Sequence, residues 1–283
     1  MAPALINDWM TNDLEALLEV DSDVLERVTH TVRQVAAEQI MPRFLNVAHQ
    51  RKADGSVFTE ADLAAQEALV HGLRQIRAVP VMGEEMSEAQ QSEQWLAGDA
   101  GLWCVDPIDG TSNFVNGVPY FAVSVALMQA GRSVLGVVYD PVSDEMFYAG
   151  RGQGAFLNGE RLPLRPGRTQ LRGAIAGIDF KRLPPQLASA LVASAPYSSQ
   201  RNFGAGTLDW CYAASGRFDV YLHGGQKLWD YAAGSIILEE AGGRACTLRN
   251  DDFWAADLWN RSVIASCNPV LFGHWRDWIR AHL

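Results

Sequence analysis

The stretch WCVDPIDGTSNF (residues 103–114) runs from apolar residues into two carboxylates three positions apart, then into small residues. Trp103, Cys104 and Val105 have the makings of a buried strand, and Asp106 ends the run. Pro107 fixes its own φ and Gly110 tolerates unusual backbone angles, so a chain leaving the strand here turns sharply. Asp106 and Asp109 can then face one point beyond the strand end. A helix opening at Thr111 or Ser112 would leave amides around Gly110 and Thr111 free to bind an anion. Asp and Gly are ordinary turn residues, which accounts for the pair DG alone. The whole hexapeptide behind an apolar strand points to a site.

Other acids occupy similar places. Glu84-Glu85 follows the short apolar segment VPVMG (79–83). Adjacent residues of an extended chain point to opposite faces, so one of the pair can be a direct ligand while the other holds a water. Asp230 stands in LWDYAAG (228–234), just before a strongly apolar helical stretch, where its bland role is an N-cap. Asp62 closes TEAD (59–62), a helix-start pattern of a hydroxyl followed three residues later by an acid. Carboxylates gathered without partners repel, and burial makes that worse. Bringing Glu84, Asp106, Asp109 and Asp230 together therefore makes sense chiefly if cations share the space. Oxygen ligands select hard ions, with magnesium first and manganese or calcium behind it. A zinc site would want His or Cys, and none accompanies these acids.

At 283 residues and 48% hydrophobic, the chain can bury a substantial core. It reads as a leader (1–20) and a single catalytic domain (21–283), with halves at about 21–165 and 166–283. In residues 22–46, Val24, Leu25, Val28, Val32, Val35 and Ile40 can share one side of a helix that Ser22 or Asp23 caps and Pro42 ends. A second helix follows Thr59 as N-cap. Between 119 and 159, apolar runs break at Ala130-Gly131, Asp140-Pro141 and Asn158-Gly159, the pattern of an antiparallel meander. The second half mixes elements. GAIAGID (173–179) and RFDVYLH (217–223) read as strands. PPQLASALVASA (184–195), TLDWCYAASG (207–216) and YAAGSIILEEAGG (231–243) read as helices, the last closed by Gly242-Gly243. The fold class is α/β (α+β), with an antiparallel sheet in the first half and a mixed sheet in the second.

The net charge of −10 counts against nonspecific binding to nucleic acid or to anionic membrane. It does not count against a phosphate substrate, because cations held by the acids invert the local field. Cys104, Cys211, Cys246 and Cys267 form no CxxC pair, which suits a reducing compartment. Asp8, Asp13 and Glu15 do not suit a signal peptide, and no run approaches the roughly 18 apolar residues of a membrane span. The expectation is a soluble, cytoplasmic protein with no nucleic-acid or membrane partner. Trp254, Trp259, Trp275 and Trp278 are expected in the core or at an interface.

Six pieces then fall into one pattern: KADGSVFTEAD (52–62), GEE (83–85), DPIDGTSNF (106–114), GVVYDPVSDEMFYAGRGQGAFLNG (136–159), GRFDVY (216–221) and WDYAAG (229–234). In order and separation they resemble the inositol monophosphatase family, part of the metal-dependent, lithium-sensitive phosphatase superfamily, from about residue 22 to the end. The resemblance implies an αβαβα layered sandwich and a homodimer. It implies magnesium-dependent hydrolysis of a small phosphate monoester, inositol monophosphate or a similar polyol phosphate. Histidinol-phosphate or sugar-phosphate hydrolysis is the alternative, and a regulatory role through protein or RNA contacts is one of another class. By the same resemblance Glu84, Asp106 and the Ile108 carbonyl would hold one magnesium. Asp106, Asp109 and Asp230 would hold a second, and Glu84 with waters a third. Manganese could substitute, and lithium should inhibit. Glu85 would orient water, Thr111 and Asp62 would polarise the attacking water, and the Gly110 and Thr111 amides would bind phosphate. Lys52 would be a basic residue near the site. Arg201, Gly204, Ala205, Gly206 and Asp230 would face the substrate.

One position departs from the pattern. The family segment GRxDxYxE ends in an acid, whereas GRFDVYLH (216–223) puts His223 there. A carboxylate accepts two or more hydroxyl hydrogen bonds, while neutral imidazole accepts one and donates one, so a polyol would be read differently. GTSNF (110–114) also resembles the inositol and histidinol phosphatase branches more than the nucleotide-bisphosphate branch.

Overall fold

The computed structural model describes residues 22–46, 49–51, 57–255 and 257–283; Lys52 and the 1–20 leader lie outside these. Helix α1 (Ser22–Val35) buries Leu25, Val28, Val32 and Val35 at helical spacing. The chain then widens into a π turn (Ala36–Ile40) and tightens into a 3₁₀ turn (Met41–Arg43), so the regular helix stops before Pro42 rather than at it. Strands β1 (His49–Arg51) and β2 (Val57–Thr59) form a small antiparallel pair. Thr59 caps α2 (Glu60–Ile76) in a reciprocal box with Asp62, as the TEAD pattern predicts.

Next come β3 (Val81–Gly83), α3 (Glu88–Ala97), β4 (Leu102–Asp109), α4 (Thr111–Asn116), β5 (Ala122–Gln129), β6 (Arg132–Asp140), β7 (Glu145–Gly150), β8 (Gly154–Leu157) and β9 (Glu160–Arg161). These strands make one seven-stranded sheet in sequence order, antiparallel throughout except for the β3–β4 pair. The second half supplies β10 (Ile175–Asp179), α5 (Pro185–Ala193), β11 (Ser199–Arg201), α6 (Gly206–Ala214), β12 (Val220–Gln226), α7 (Leu228–Glu240), β13 (Arg244–Cys246), β14 (Arg261–Ser266) and α8 (Pro269–Arg280). Its sheet has the order β11-β10-β12-β14-β13. The β10 pairs are parallel and the others antiparallel, which makes it mixed.

Three apolar cores explain the layering. Helices α1 and α2 pack on one face of the first sheet. Helices α6 and α7 fill the space between the two sheets. Helices α5 and α8 cover the outer face of the second. The result is an αβαβα sandwich. Close approach of the central layer depends on Gly136 in β6, where a Cβ would lie 2.5 Å from the Ala233 carbonyl oxygen. Trp275, on α8, is buried in the outer core, Trp254 and Trp259 pack against the central core, and Trp278 against the outer one.

Candidate active site

Strand β4 does not stop at Asp106. It continues through Pro107 to Asp109, and its pairing with β5 slips between those two acids. A proline inside a strand is tolerated at such a bulge, and the bulge re-aims the side chains around it. Asp106 is 1% exposed, and its Oδ1 accepts the Ile108 N–H at 3.1 Å. Asp109 Oδ2 accepts both the N–H and the hydroxyl of Thr207, each at 2.7 Å, which ties the end of β4 to the start of α6. Gly110 then adopts φ +86° and opens α4.

Asp230 arrives from the opposite side, within the first turn of α7 rather than before it. The helix begins at Leu228, because Leu228 and Trp229 already belong to its buried surface, and Lys227 is the N-cap. Asp230 Oδ2 accepts the Lys227 N–H at 2.9 Å. Carboxylate oxygens of Asp106, Asp109 and Asp230 all lie within 4.8 Å of one another. Glu84 lies outside that triad but lines the same cavity. Its N–H donates to the Val105 carbonyl at 3.2 Å, which holds the β3 end beside β4. Glu85 does not line the cavity, and its N–H donates to Gln66 Oε1 at 3.0 Å.

Burial is the main force on the triad's protons, with neighbouring acids adding to it. It pushes the Asp106 carboxyl well above the usual range, and Glu84, Asp109 and Asp230 push it further. Asp230 is raised in the same way by burial, Asp109 and Glu84. Asp109 rises from 3.8 to about 6, held down by the Thr207 bonds. Buried, mutually repelling, all-oxygen ligands of this kind fit a hard divalent cation and suit neither zinc nor copper.

Thr111 sits beside the triad. Its hydroxyl donates to the Ile108 carbonyl at 3.0 Å, with Asp62 Oδ1 3.5 Å away as a second acceptor. The other Asp62 oxygen accepts the Thr59 N–H at 2.7 Å and the Thr59 hydroxyl at 2.6 Å. Asp62 is therefore a helix cap and a partner of Thr111 at once.

Glu84 and the acid triad line a cavity of about 200 Å³ that also includes Ile108, Gly110, Thr111, Gly204, Ala205, Gly206 and His223, with Asp62 behind Thr111 and not in the lining. Arg201 is not part of it. It is exposed on β11, and its Nη1 donates to Ser199 Oγ at 2.7 Å and to the Gln200 carbonyl at 2.8 Å. Sequence reasoning missed Asp179, Lys181, Arg182, Asn202, Asp209 and Gln226, which also line the cavity. Asp179 ends an apolar strand just as Asp106 interrupts one, so the same positional signal in GAIAGID would have found it. Asp209 accepts the Tyr120 hydroxyl at 3.1 Å, and burial raises its carboxyl well above the ordinary range.

A family model described as "Inositol monophosphatase family" matches residues 13–277. A protein of Pseudomonas aeruginosa named Nus factor SuhB is 42% identical over 237 residues, 80% of this chain and 83% of its own length. An inositol-1-monophosphatase of Caulobacter vibrioides is 32% identical, over 76% and 84%. Among solved structures, a Thermotoga maritima IMPase and an extragenic suppressor protein suhB of Bartonella henselae each superpose with a TM-score of 0.78 at 28% identity. They cover 92% and 93% of this chain, which in turn spans 97% and 100% of theirs.

Proposed function

The chain belongs to the inositol monophosphatase family, and from that premise we propose that it is a magnesium-dependent phosphatase of small phosphate monoesters, with a polyol phosphate such as inositol monophosphate as its substrate. The observation that carries this reading is the convergence of Asp106, Asp109 and Asp230, from separate elements, within 4.8 Å beside Glu84. Relatives named inositol-1-monophosphatase support the reaction type.

In this proposal Glu84, Asp106, Asp109, Asp230 and the Ile108 carbonyl hold the divalent ions. Bound magnesium supplies a lowered water pKa and charge neutralisation on the phosphate. The chain's own residues position the reactants, as phosphoryl transfer chiefly requires. The Thr111 hydroxyl has one proton and two acceptors in reach; donated to Asp62, it leaves the oxygen free to accept from a water in the cavity. Glu85 orients water from outside the cavity wall, and the Gly110 and Thr111 backbone faces the phosphate. Gly204, Ala205 and Gly206, nearly without side chains, leave room for the substrate body. Lithium inhibition, a homodimer and a cytoplasmic setting, where four buried free cysteines are at home, complete the proposal.

A second reading, action through protein or RNA contacts, draws on the name Nus factor borne by several relatives. The net charge of −10 favours protein over RNA in that case. No described helix is long and apolar enough to cross a membrane. A phosphate-release screen with and without magnesium decides between the readings. Its panel is inositol phosphates, histidinol phosphate, sugar phosphates and adenosine bisphosphates. Magnesium-dependent turnover of a polyol phosphate is expected; no turnover of any substrate would leave only the contact role.

A further inference from the structure

His223 lines the cavity, yet its hydrogen-bonding capacity is already committed. Nδ1 accepts the Gly225 N–H at 3.1 Å, so the proton of the neutral ring belongs on Nε2. Nε2 faces Asp179 Oδ2 at 3.4 Å. The ring, 7% exposed, has no acceptor left for a hydroxyl. The pairing follows from the fold. In the parallel β10–β12 register Asp179 lies directly opposite His223.

Asp179 is in the reverse situation. Oδ1 accepts the Lys181 N–H at 2.7 Å and Oδ2 faces the imidazole, which leaves about half of a carboxylate's four acceptor positions unused. Its side chain keeps 23% exposure, and it lines the same cavity as the acid triad. The His223 hydrogen bond lowers its pKa, so it stays ionised near neutrality. The segment is also fixed in place. Arg182 Nη1 donates to the Gly225 carbonyl at 2.8 Å. A Cβ on Gly224 would lie 1.9 Å from the Arg182 carbonyl oxygen, so the 180–183 turn rests directly on β12.

We propose that Asp179 is the residue that reads substrate hydroxyls, with His223 as its positioning residue, and that the substrate presents two neighbouring hydroxyls to the unused side of this carboxylate. The inference rests on the phosphatase reading above and deepens it. An amino alcohol phosphate is the competing occupant, because an ammonium group would be drawn to the same carboxylate, and the test separates the two.

The test uses the magnesium-loaded full chain and three probes: myo-inositol 1-phosphate, p-nitrophenyl phosphate, which has no hydroxyl donors, and O-phosphoethanolamine. Hydrogen bonds to a charged acceptor contribute enough that Asp179→Asn should lower the kcat/KM ratio of the inositol ester to the nitrophenyl ester about 10- to 100-fold, mostly through KM. His223→Leu should lower that ratio less, and His223→Gln, which keeps an N–H donor, should recover part of the loss. Because the readout is a ratio of two substrates, a general loss of folded enzyme does not move it. A ratio in Asp179→Asn within twofold of wild type overturns the inference while leaving the phosphatase reading intact. So does wild-type preference for O-phosphoethanolamine, or no wild-type turnover of the inositol ester beside turnover of the nitrophenyl ester. Wild type inert on all three removes the phosphatase reading and this inference with it.

Discussion

Replacing Asp106 with Asn should stabilise the metal-free protein while removing its response to magnesium. Oxygens of Asp106, Asp109 and Asp230 lie within 4.8 Å. At that distance two unit charges repel by about 3.5 kcal/mol at an effective dielectric of about 20. Three ionised carboxylates would thus cost roughly 10 kcal/mol, comparable to the whole stability of a domain. Retained protons relieve this strain, which adds to burial, the larger cause, in raising the folded pKa values. The sign follows: the folded state binds more protons than the unfolded one, so this contribution is intact below the unfolded pKa near 3.8 and is lost as pH climbs through the folded values. For Asp109 the rise to about 6 corresponds to roughly 3 kcal/mol, nearer 1–2 once the solvent reaching this half-buried group is counted.

Asn at 106 removes two of the three repulsive pairs and the repulsion from Glu84, and its amide oxygen can still accept the Ile108 N–H. In EDTA at about pH 8 the variant should gain about 2–4 kcal/mol, a Tm rise of roughly 4–16 °C at about 2–4 °C per kcal/mol. Near pH 5 the difference should shrink as the wild-type triad takes up protons. Saturating magnesium should reverse the order, since an ion at about 1,000 times its Kd adds about 4.1 kcal/mol to the wild type and little to the variant. Scanning calorimetry in EDTA and in magnesium, at both pH values, measures all four cases. A variant that melts below wild type in EDTA at the higher pH, or a wild type indifferent to magnesium, would refute the reasoning.

Thr111→Ala should lower kcat about 10²- to 10⁴-fold with little change in KM, because the proposed role of its hydroxyl is to act on the nucleophile; a pure KM effect in steady-state assays would assign it to binding. Glu84→Gln should raise the magnesium concentration for half-maximal activity tenfold or more, and an unchanged magnesium titration would remove Glu84 from the site. Gly136→Ala should cost about 1–3 kcal/mol, read as a lower Tm, because the added methyl meets the α7 backbone 2.5 Å away; an unchanged Tm would show that α7 can move off the sheet.

Much of this site can be read from the sequence because its acids break apolar runs. Asp106 follows WCV, Glu84 follows VMG, and Asp230 sits among residues that bury all of α7's first turns. The Thr59–Asp62 box is legible for the same local reason: three residues of spacing determine it. Features that depend on neighbours in space are harder to read. Helix α3 escapes a periodicity search because Gln91 is its one buried residue, so only the Ser87–Gln90 capping box marks it. Pro107 reads as a strand stop, yet β4 passes through it because the bulge removes the need for its missing N–H. The Asp179–His223 pair is set by parallel register between strands more than 40 residues apart, which no local pattern encodes. Arg201 lies outside the cavity for a similar reason: its strand is at the edge of the second sheet, and the guanidinium turns back to its own neighbours.

The most direct measurement is an anomalous difference map from crystals of this protein grown with manganese, an ion that takes the same oxygen ligands as magnesium. The account predicts strong peaks between the Asp106, Asp109 and Asp230 carboxylates, with Glu84 bordering one of them. Carboxylates that turn away from one another, with no peak between them while manganese binds elsewhere, would contradict it.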